Sequence, residues 1–411
     1  MVKNMKLSLN ASSIRSALLF SIVFAYLYSY ASTIGLSSTN DDHVFLSVFK
    51  NGTVLDYINN NYHTWSGRTA IEFLMVSTIG YSLFWKLGIP LSIVLLAYSS
   101  CRISTCSKSA TYISIFVLLF SLIPGAINGD AAWWVTGFYN YLLPASVAVY
   151  IFSVLFKGDS GYFVKTLCIP LAIYVSYMEQ VTLCLIVCSA IILAFMPSTR
   201  SRYFYLLLSL ISVNFAICIS APGNINRLHL ETANWMPLFD HFTLTQKVSL
   251  GFDKAYQFIT FKYNYPLLIV SLLTVLIRLK RQIVTHRVFV MLIVVSSFIP
   301  LMVYHSLCGS LFFEGNIIDN GNASRLVIYF NYAYCIALVV SLLFLIIDMM
   351  FDKVMSGLPL AGILCGFMSI VIMGFSPTVY ASGVRVYFVF EILLIITSMY
   401  MLKRLKELND Q

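Results

Sequence analysis

The chain has 411 residues, of which 59% are hydrophobic and 10% charged, with a net charge of +9 and a mean hydropathy of +0.84. Soluble domains carry about 25% charged residues, so an ordinary soluble enzyme is excluded, and the basic surplus reads as a membrane feature rather than a nucleic-acid footprint. At about 20 apolar residues per crossing, the length holds roughly a dozen spans and a few loops; the expectation is one all-α polytopic membrane domain over 1–411.

Apolar runs fall at about 14–36, 70–100, 111–127, 141–156, 166–178, 181–196, 203–220, 265–279, 288–306, 325–350, 358–375 and 385–402, which predicts about twelve transmembrane helices. The basic start (Lys3, Lys6, Arg15) precedes a run too long for a signal peptide and lacks a small-residue cleavage site, so the first run is read as a retained span. The 70–100 run is interrupted by Lys86-Leu87-Gly88-Ile89-Pro90 and is read as one tilted span. That reading puts 17 of the 26 basic residues in short connections on one side, which marks it as cytoplasmic. Both termini are then cytoplasmic, and two long loops, about 37–69 and 221–264, face outward. Each holds a stretch with amphipathic character, Val54–Ile58 and Leu244–Ile259. The nine cysteines form no C-x-x-C; Cys184 and Cys188 are one helical turn apart with no histidine to complete a metal set, so they read as packing residues.

In this orientation the conspicuous polar strings all face outward: Asn40-Asp41-Asp42-His43, Trp65-Ser66-Gly67-Arg68, Asn128-Gly129-Asp130 with Trp133 through Gly137, Ser176 through Gln180, Ala221 through Arg227, Gly321 through Arg325, and Ser376 through Arg385. Asp41 and Asp42 follow the first span directly. A carboxylate there can deprotonate an attacking hydroxyl, and a pair can hold a divalent cation; by itself the pair also suits a solvated turn at a helix end. Arg68, Arg227, Arg325 and Arg385 come from four separate connections, and guanidinium groups bind phosphate through paired hydrogen bonds. Each alone can equally snorkel to lipid headgroups, so convergence is the discriminating observation.

Glu179 lies in a tight turn between two short runs, at a depth where an ionisable group faces a cavity or a partner. Asp130, just ahead of Trp133 and Trp134, has a similar position; indoles here either belong to the interfacial belt or stack on sugars. His43 and His63 lack a third zinc ligand. Asn51-Gly52-Thr53 and Asn322-Ala323-Ser324 match the N-glycosylation pattern, which is frequent by chance.

The acidic pair after the first span, the many-helix bundle and the outward arginines together resemble the GT-C superfamily of integral membrane glycosyltransferases. Asp41-Asp42, Trp65-Ser66-Gly67-Arg68, Asn128-Gly129 with Trp134 through Gly137 and Asn140-Tyr141, Glu179-Gln180, and Ala221-Pro222-Gly223-Asn224 with Arg227 resemble a group of bacterial inner-membrane proteins related to phage-encoded, serotype-converting O-antigen glucosyltransferases. The resemblance implies inverting transfer of one hexose, glucose above all, from an undecaprenyl-phosphate carrier to O-antigen or another surface glycan on the periplasmic face. It implies Asp41 or Asp42 as general base. From side and chemistry, Arg68, Arg227, Arg325 and Arg385 are assigned to the donor phosphate, and His43, Trp65, Asp130, Trp134, Glu179 and Asn224 to sugar or acceptor contacts. No cofactor is expected; a divalent cation is not favoured, and no metal ligands are assigned.

Two rivals remain. An O-antigen polymerase or ligase would also use outward arginines, on a pyrophosphate-linked donor. A transporter or flippase of lipid-linked sugars would need polar groups through mid-membrane, and no internal repeat is evident.

Overall fold

The computed structural model describes residues 11–105, 110–158, 160–196, 199–280, 285–309, 311–318 and 324–410. Lys3, Lys6, Cys106, Lys108, Arg281 and most of the Gly321–Arg325 string, including Asn322, lie outside the described residues.

The chain is all-helical, and no strand occurs among the described residues. The helices in order are α1 (Ala11–Thr33), α2 (Asp41–Asn51), α3 (Val54–Thr64), α4 (Thr69–Thr78), α5 (Ser82–Ser104), α6 (Ala110–Ser121) and α7 (Gly125–Ala131). A single turn α8 (Val135–Gly137), a π-turn over Phe138–Leu142 and α9 (Leu143–Lys157) run on as one rod. There follow α10 (Tyr162–Val175), α11 (Glu179–Phe195), α12 (Arg202–Ile219), α13 (Pro222–Trp235), α14 (Leu244–Ile259), α15 (Tyr265–Leu279), α16 (His286–Cys308), α17 (Arg325–Phe351), α18 (Leu358–Val371) and α19 (Phe388–Asn409). One 3-10 turn (Ile372–Phe375) closes α18 and another (Arg385–Tyr387) opens α19.

Among the described residues eight helices are long and apolar enough to cross a membrane: α1, α5, the α8–α9 rod, α12, α16, α17, α18 and α19 with their terminal turns. The pair α6 and α7, bent by 104°, makes a ninth if taken as one crossing. In a bilayer such segments must satisfy their backbone groups internally, which is why unbroken apolar runs become helices. The expected twelve exceeds this count because α10, α11 and α15 are apolar but short.

The 70–100 run is not one helix. It breaks at Gly80-Tyr81, where the Phe49 ring occupies the place of a Gly80 side chain and Tyr81 is extended, so only α5 has spanning length. The loops 37–69 and 221–264 are also largely helical rather than irregular. Asn40 caps α2 by accepting from the Asp42 amide, Gly52 ends it in the left-handed region at φ 70°, and Thr243 with Gln246 forms a capping box at the start of α14.

These inserted helices gather at one end of the bundle with α7, α8, the α10–α11 turn and the 372–387 segment, tied by hydrogen bonds between α2 and α8, α13 and the α3–α4 link, and α11 and the Arg385–Tyr387 turn. The opposite end carries basic connections, including Arg278 paired with Asp348, and Arg404 donating to the Val354 carbonyl.

Candidate functional site

The polar end has two halves. The first is built where the α3–α4 link packs against the start of α13. Gly67 is obligatory there, since a Cβ would stand 2.0 Å from the Cys218 carbonyl oxygen; at Gly223 it would stand 2.4 Å from the Trp65 amide nitrogen. Asn224 staples the two segments: its Oδ1 accepts from the Gly67 amide at 3.2 Å, and its Nδ2 donates to the Cys218 carbonyl at 2.8 Å. Asn224 therefore holds backbone, and is not free for a sugar.

This seating aims Arg68 at Glu179 in the α10–α11 turn, with Nε and Nη2 donating to Oε2 at 2.9 and 2.8 Å. Arg227 lies over the half-exposed Trp65 ring, 5.5 Å from its centroid, with Glu231 at 3.6 Å. Burial and then the neighbouring Arg68 charge lower the proton affinity of Arg227, so the two guanidinium groups feel each other. Tyr141, from the π-turn, is close enough to act on both. Beneath them, buried Glu72 of α4 accepts a hydrogen bond from Asn61; burial pushes its carboxyl up to about 7, against the opposing pull of Asn61, Arg68, Ser66 and Arg227. Tyr57 is raised by burial and by the Glu72 and Asp41 carboxylates, which places Asp41 next to this half.

The second half is held by Asp42. Its carboxylate is fully buried, Oδ1 accepting from the Thr136 amide at 3.0 Å and hydroxyl at 2.6 Å, and Oδ2 from the Ser37 amide at 3.0 Å. Three donors consume it, so Asp42 fixes α2 to α8 and is not available as a base. Asp41 is exposed on the first turn of α2. Two residues before Thr136, the Trp134 ring lies under the Arg385 guanidinium at 5.6 Å, and its indole N–H is buried with no partner among the described residues. Arg385 donates from Nε to the Ser382 carbonyl at 3.1 Å and meets no carboxylate among the described residues. Gln180 joins the halves, donating to the Val386 carbonyl at 2.8 Å and the Ser369 carbonyl at 3.0 Å.

The structure thus brings together Asp41, Asp42, Trp65, Arg68, Trp134, Glu179, Asn224, Arg227 and Arg385. Three predicted residues lie outside its contacts: Arg325 is exposed at the start of α17, His43 on the first turn of α2 and Asp130 on α7, and none of these side chains has a partner among the described residues. Asp130 contributes its carbonyl, on which Gly137 packs. Among the described residues no three His, Cys, Asp or Glu side chains form a metal-ligand set. Sequence reasoning missed Glu72, Asn61, Tyr57 and the buried pair Asp253 and Lys254 of α14. For Glu72 and the α14 pair the signal was available, because a charge inside an apolar or amphipathic helix needs a partner.

Two apolar grooves reach this layer. A furrow of about 690 Å³ runs between α9, α11, α18 and α19, lined among others by Phe152, Val181, Leu185, Ala361, Val389 and Leu393. From Val181 to Phe195 it follows α11 for roughly 21 Å at 1.5 Å per residue. A second groove of about 460 Å³ lies between α3, α4 and α10, lined by Ile58, Thr69, Phe73, Ile173 and Tyr177 among others.

Compared with protein-family models, with curated proteins and with solved structures, the chain matches none.

Proposed function

We propose that the protein is a GT-C-like glycosyltransferase that moves one hexose from undecaprenyl phosphate to O-antigen or another surface glycan, on the periplasmic face of a bacterial inner membrane. The observation that carries the reading is that an exposed carboxylate, Asp41, and a guanidinium with no carboxylate partner among the described residues, Arg385, lie at the same end of the bundle, the end from which a lipid-length apolar furrow descends. Counting the bent pair α6–α7 and the short helices α10, α11 and α15 as crossings gives twelve, with both termini on the basic, cytoplasmic side.

In this reading the donor's tail lies in the α11–α18–α19 furrow and its phosphate meets Arg385, one turn above the furrow-lining Val389. The acceptor hydroxyl oxygen attacks the anomeric carbon as Asp41 takes its proton; the carbon–oxygen bond to phosphate breaks, the electron pair leaves with the polyprenyl phosphate, and the anomeric configuration inverts. Asp42 positions α2, so that Asp41 sits beside Tyr57 and the arginine half. Trp65 and Trp134 offer ring faces to sugars. The scheme assigns no metal ligand and does not favour a divalent cation.

Mass spectrometry of the surface glycan with and without the gene tests the proposal. A gain of one hexose per repeat is expected; a change in chain length alone would point instead to the polymerase or ligase. Purified protein that moves labelled sugar between leaflets, without forming a glycosidic bond, would replace the reading with the transporter.

A further inference from the structure

α13 begins at the end of a spanning helix. α12, with 18 residues, is about 27 Å long at 1.5 Å per residue, close to the ~30 Å of a hydrocarbon core. Its exposed apolar side chains, Val213, Ile217 and Ile219, face acyl chains in a bilayer. After Ser220-Ala221, Pro222 opens α13, and Asn224 in its first turn donates to the Cys218 and Ile219 carbonyls, which folds the new helix back onto the end of the old one.

α13 then stays apolar on a side that the protein leaves open. Ile225, Leu228 and Trp235, three and seven positions apart, share one face of the helix and are 60%, 38% and 61% exposed. Asn226, Leu230 and Asn234 fall on the opposite face, and Gly223, Arg227 and Glu231 on the flank that lays Arg227 over Trp65. α14 is the contrast. Its apolar residues Leu250, Ala255 and Phe258 are buried within the protein, so its amphipathic pattern is already satisfied.

What covers the open face of α13 follows from its continuity with α12: lipid that meets Ile217 and Ile219 meets Ile225 a few residues later. Charge adds little. Apart from His229, the ionisable side chains of α13 are Arg227 and Glu231, which lie within ion-pair range of each other.

We infer that α13 lies in the plane of the membrane, at the boundary between headgroups and acyl chains, with Ile225, Leu228 and Trp235 inserted and held by apolar area rather than by anionic lipid. The same helix seats the Trp65–Arg68 string through Gly223 and Asn224, so the leaflet sets the height of the arginine half. The lipid contact stands without the transferase reading; its effect on turnover rests on that reading.

The test reads Trp235 fluorescence as the difference between wild type and Trp235→Phe, both full-length, in phosphatidylcholine vesicles. Bromine near the glycerol end of the acyl chains is expected to quench that difference signal by more than half. Aqueous acrylamide is expected to leave it nearly unchanged, and added phosphatidylglycerol to alter neither result. Quenching by acrylamide without quenching by bromolipid would put α13 in water and overturn the inference. Protection from both overturns it too, in favour of a second copy or another protein on this face. Leu228→Glu, at an exposed position, is expected to open Trp235 to acrylamide and to lower hexose transfer in vesicles by more than half, whereas Leu228→Phe, still apolar, keeps both. Unchanged transfer in Leu228→Glu removes the coupling to the site, and bromolipid quenching in a protein that transfers no hexose sinks the transferase reading alone.

Discussion

Arg68 and Arg385 occupy matching places, each near the head of an apolar groove and each beside a tryptophan-bearing segment, yet their electrostatic states differ. Arg68 donates twice to Glu179, and its neighbour Arg227 has Glu231 within ion-pair range. Arg385 has a carbonyl, an aromatic face and no carboxylate among the described residues. A guanidinium already matched by a carboxylate is mainly a positioning element and holds an incoming anion only by sharing; an unmatched one is ready to take the full charge. Counting outward arginines therefore overstates the donor site, and what sorts them is the acid each one meets. The same contrast divides the acidic pair, where Asp42 accepts from three donors and Asp41 is exposed with no side-chain partner among the described residues.

The sharpest way to break the second contrast is the pair Asp41→Asn and Asp42→Asn. Loss of a general base costs about 10²- to 10⁴-fold in rate, so Asp41→Asn is expected to abolish measurable transfer while leaving the thermal midpoint in detergent unchanged. Asp42→Asn turns an acceptor into a donor facing either the Ser37 or the Thr136 amide, and is expected to cost about 2–3 kcal/mol of stability, with activity falling only as far as the fold does. If Asp42→Asn folds normally and is inactive, the assignment of base and positioner is reversed.

The arginine contrast predicts opposite signatures. Arg385→Met removes an anion contact from a site that loses little else, so transfer is expected to drop about 100-fold, as for loss of one transition-state donor, with stability nearly intact. Arg68→Ala leaves Glu179 partly buried without its partner and is expected to cost about 2 kcal/mol, less than the value for a fully buried pair because the pair keeps some contact with solvent. The double variant Arg68→Ala with Glu179→Ala should recover part of that loss, which a double-mutant cycle in thermal unfolding measures. Additive losses would mean that the ion pair contributes nothing.

How much of this was legible in the sequence follows from what each feature depends on. The helical membrane architecture came from apolar runs, and the amphipathic stretch Leu244–Ile259 is helix α14 with those limits, because burial in lipid leaves a chain little choice. The break at Gly80-Tyr81 was not legible, since it depends on Phe49 arriving from another segment. The strings around Gly67 and Gly223 were noticed for their residue types, but their reason, two backbones in contact, is tertiary. Which acid meets which arginine is tertiary as well: Glu179 lies 111 positions from Arg68. Glu72 was hidden inside a run read as a span, and it became visible only when that run proved to be two helices.

Glu72 also supplies the expected effect most specific to the arginine half, and one that appears only as a slope with pH. Its carboxyl is held near pH 7 in the folded protein, chiefly by burial, and near 4.3 in an unfolded chain. Because the folded state keeps the proton longer, its contribution to stability is fully present below about pH 4.5, declines as pH rises towards 7, and is flat above. At up to about 1.4 kcal/mol per pH unit, the wild type is expected to lose about 2.5 kcal/mol between pH 5 and pH 8, and Glu72→Gln, which is neutral throughout, should lose less over the same range. Asn61 and the two arginines oppose burial by favouring the ionised form. Removing Arg227 should therefore steepen the wild-type decline, whereas removing Glu179, which strengthens the uncompensated positive field around Glu72, should flatten it. Parallel pH profiles for wild type and Glu72→Gln would mean that the carboxyl is ionised across the range, and that the arginine half carries one more negative charge than its burial suggests.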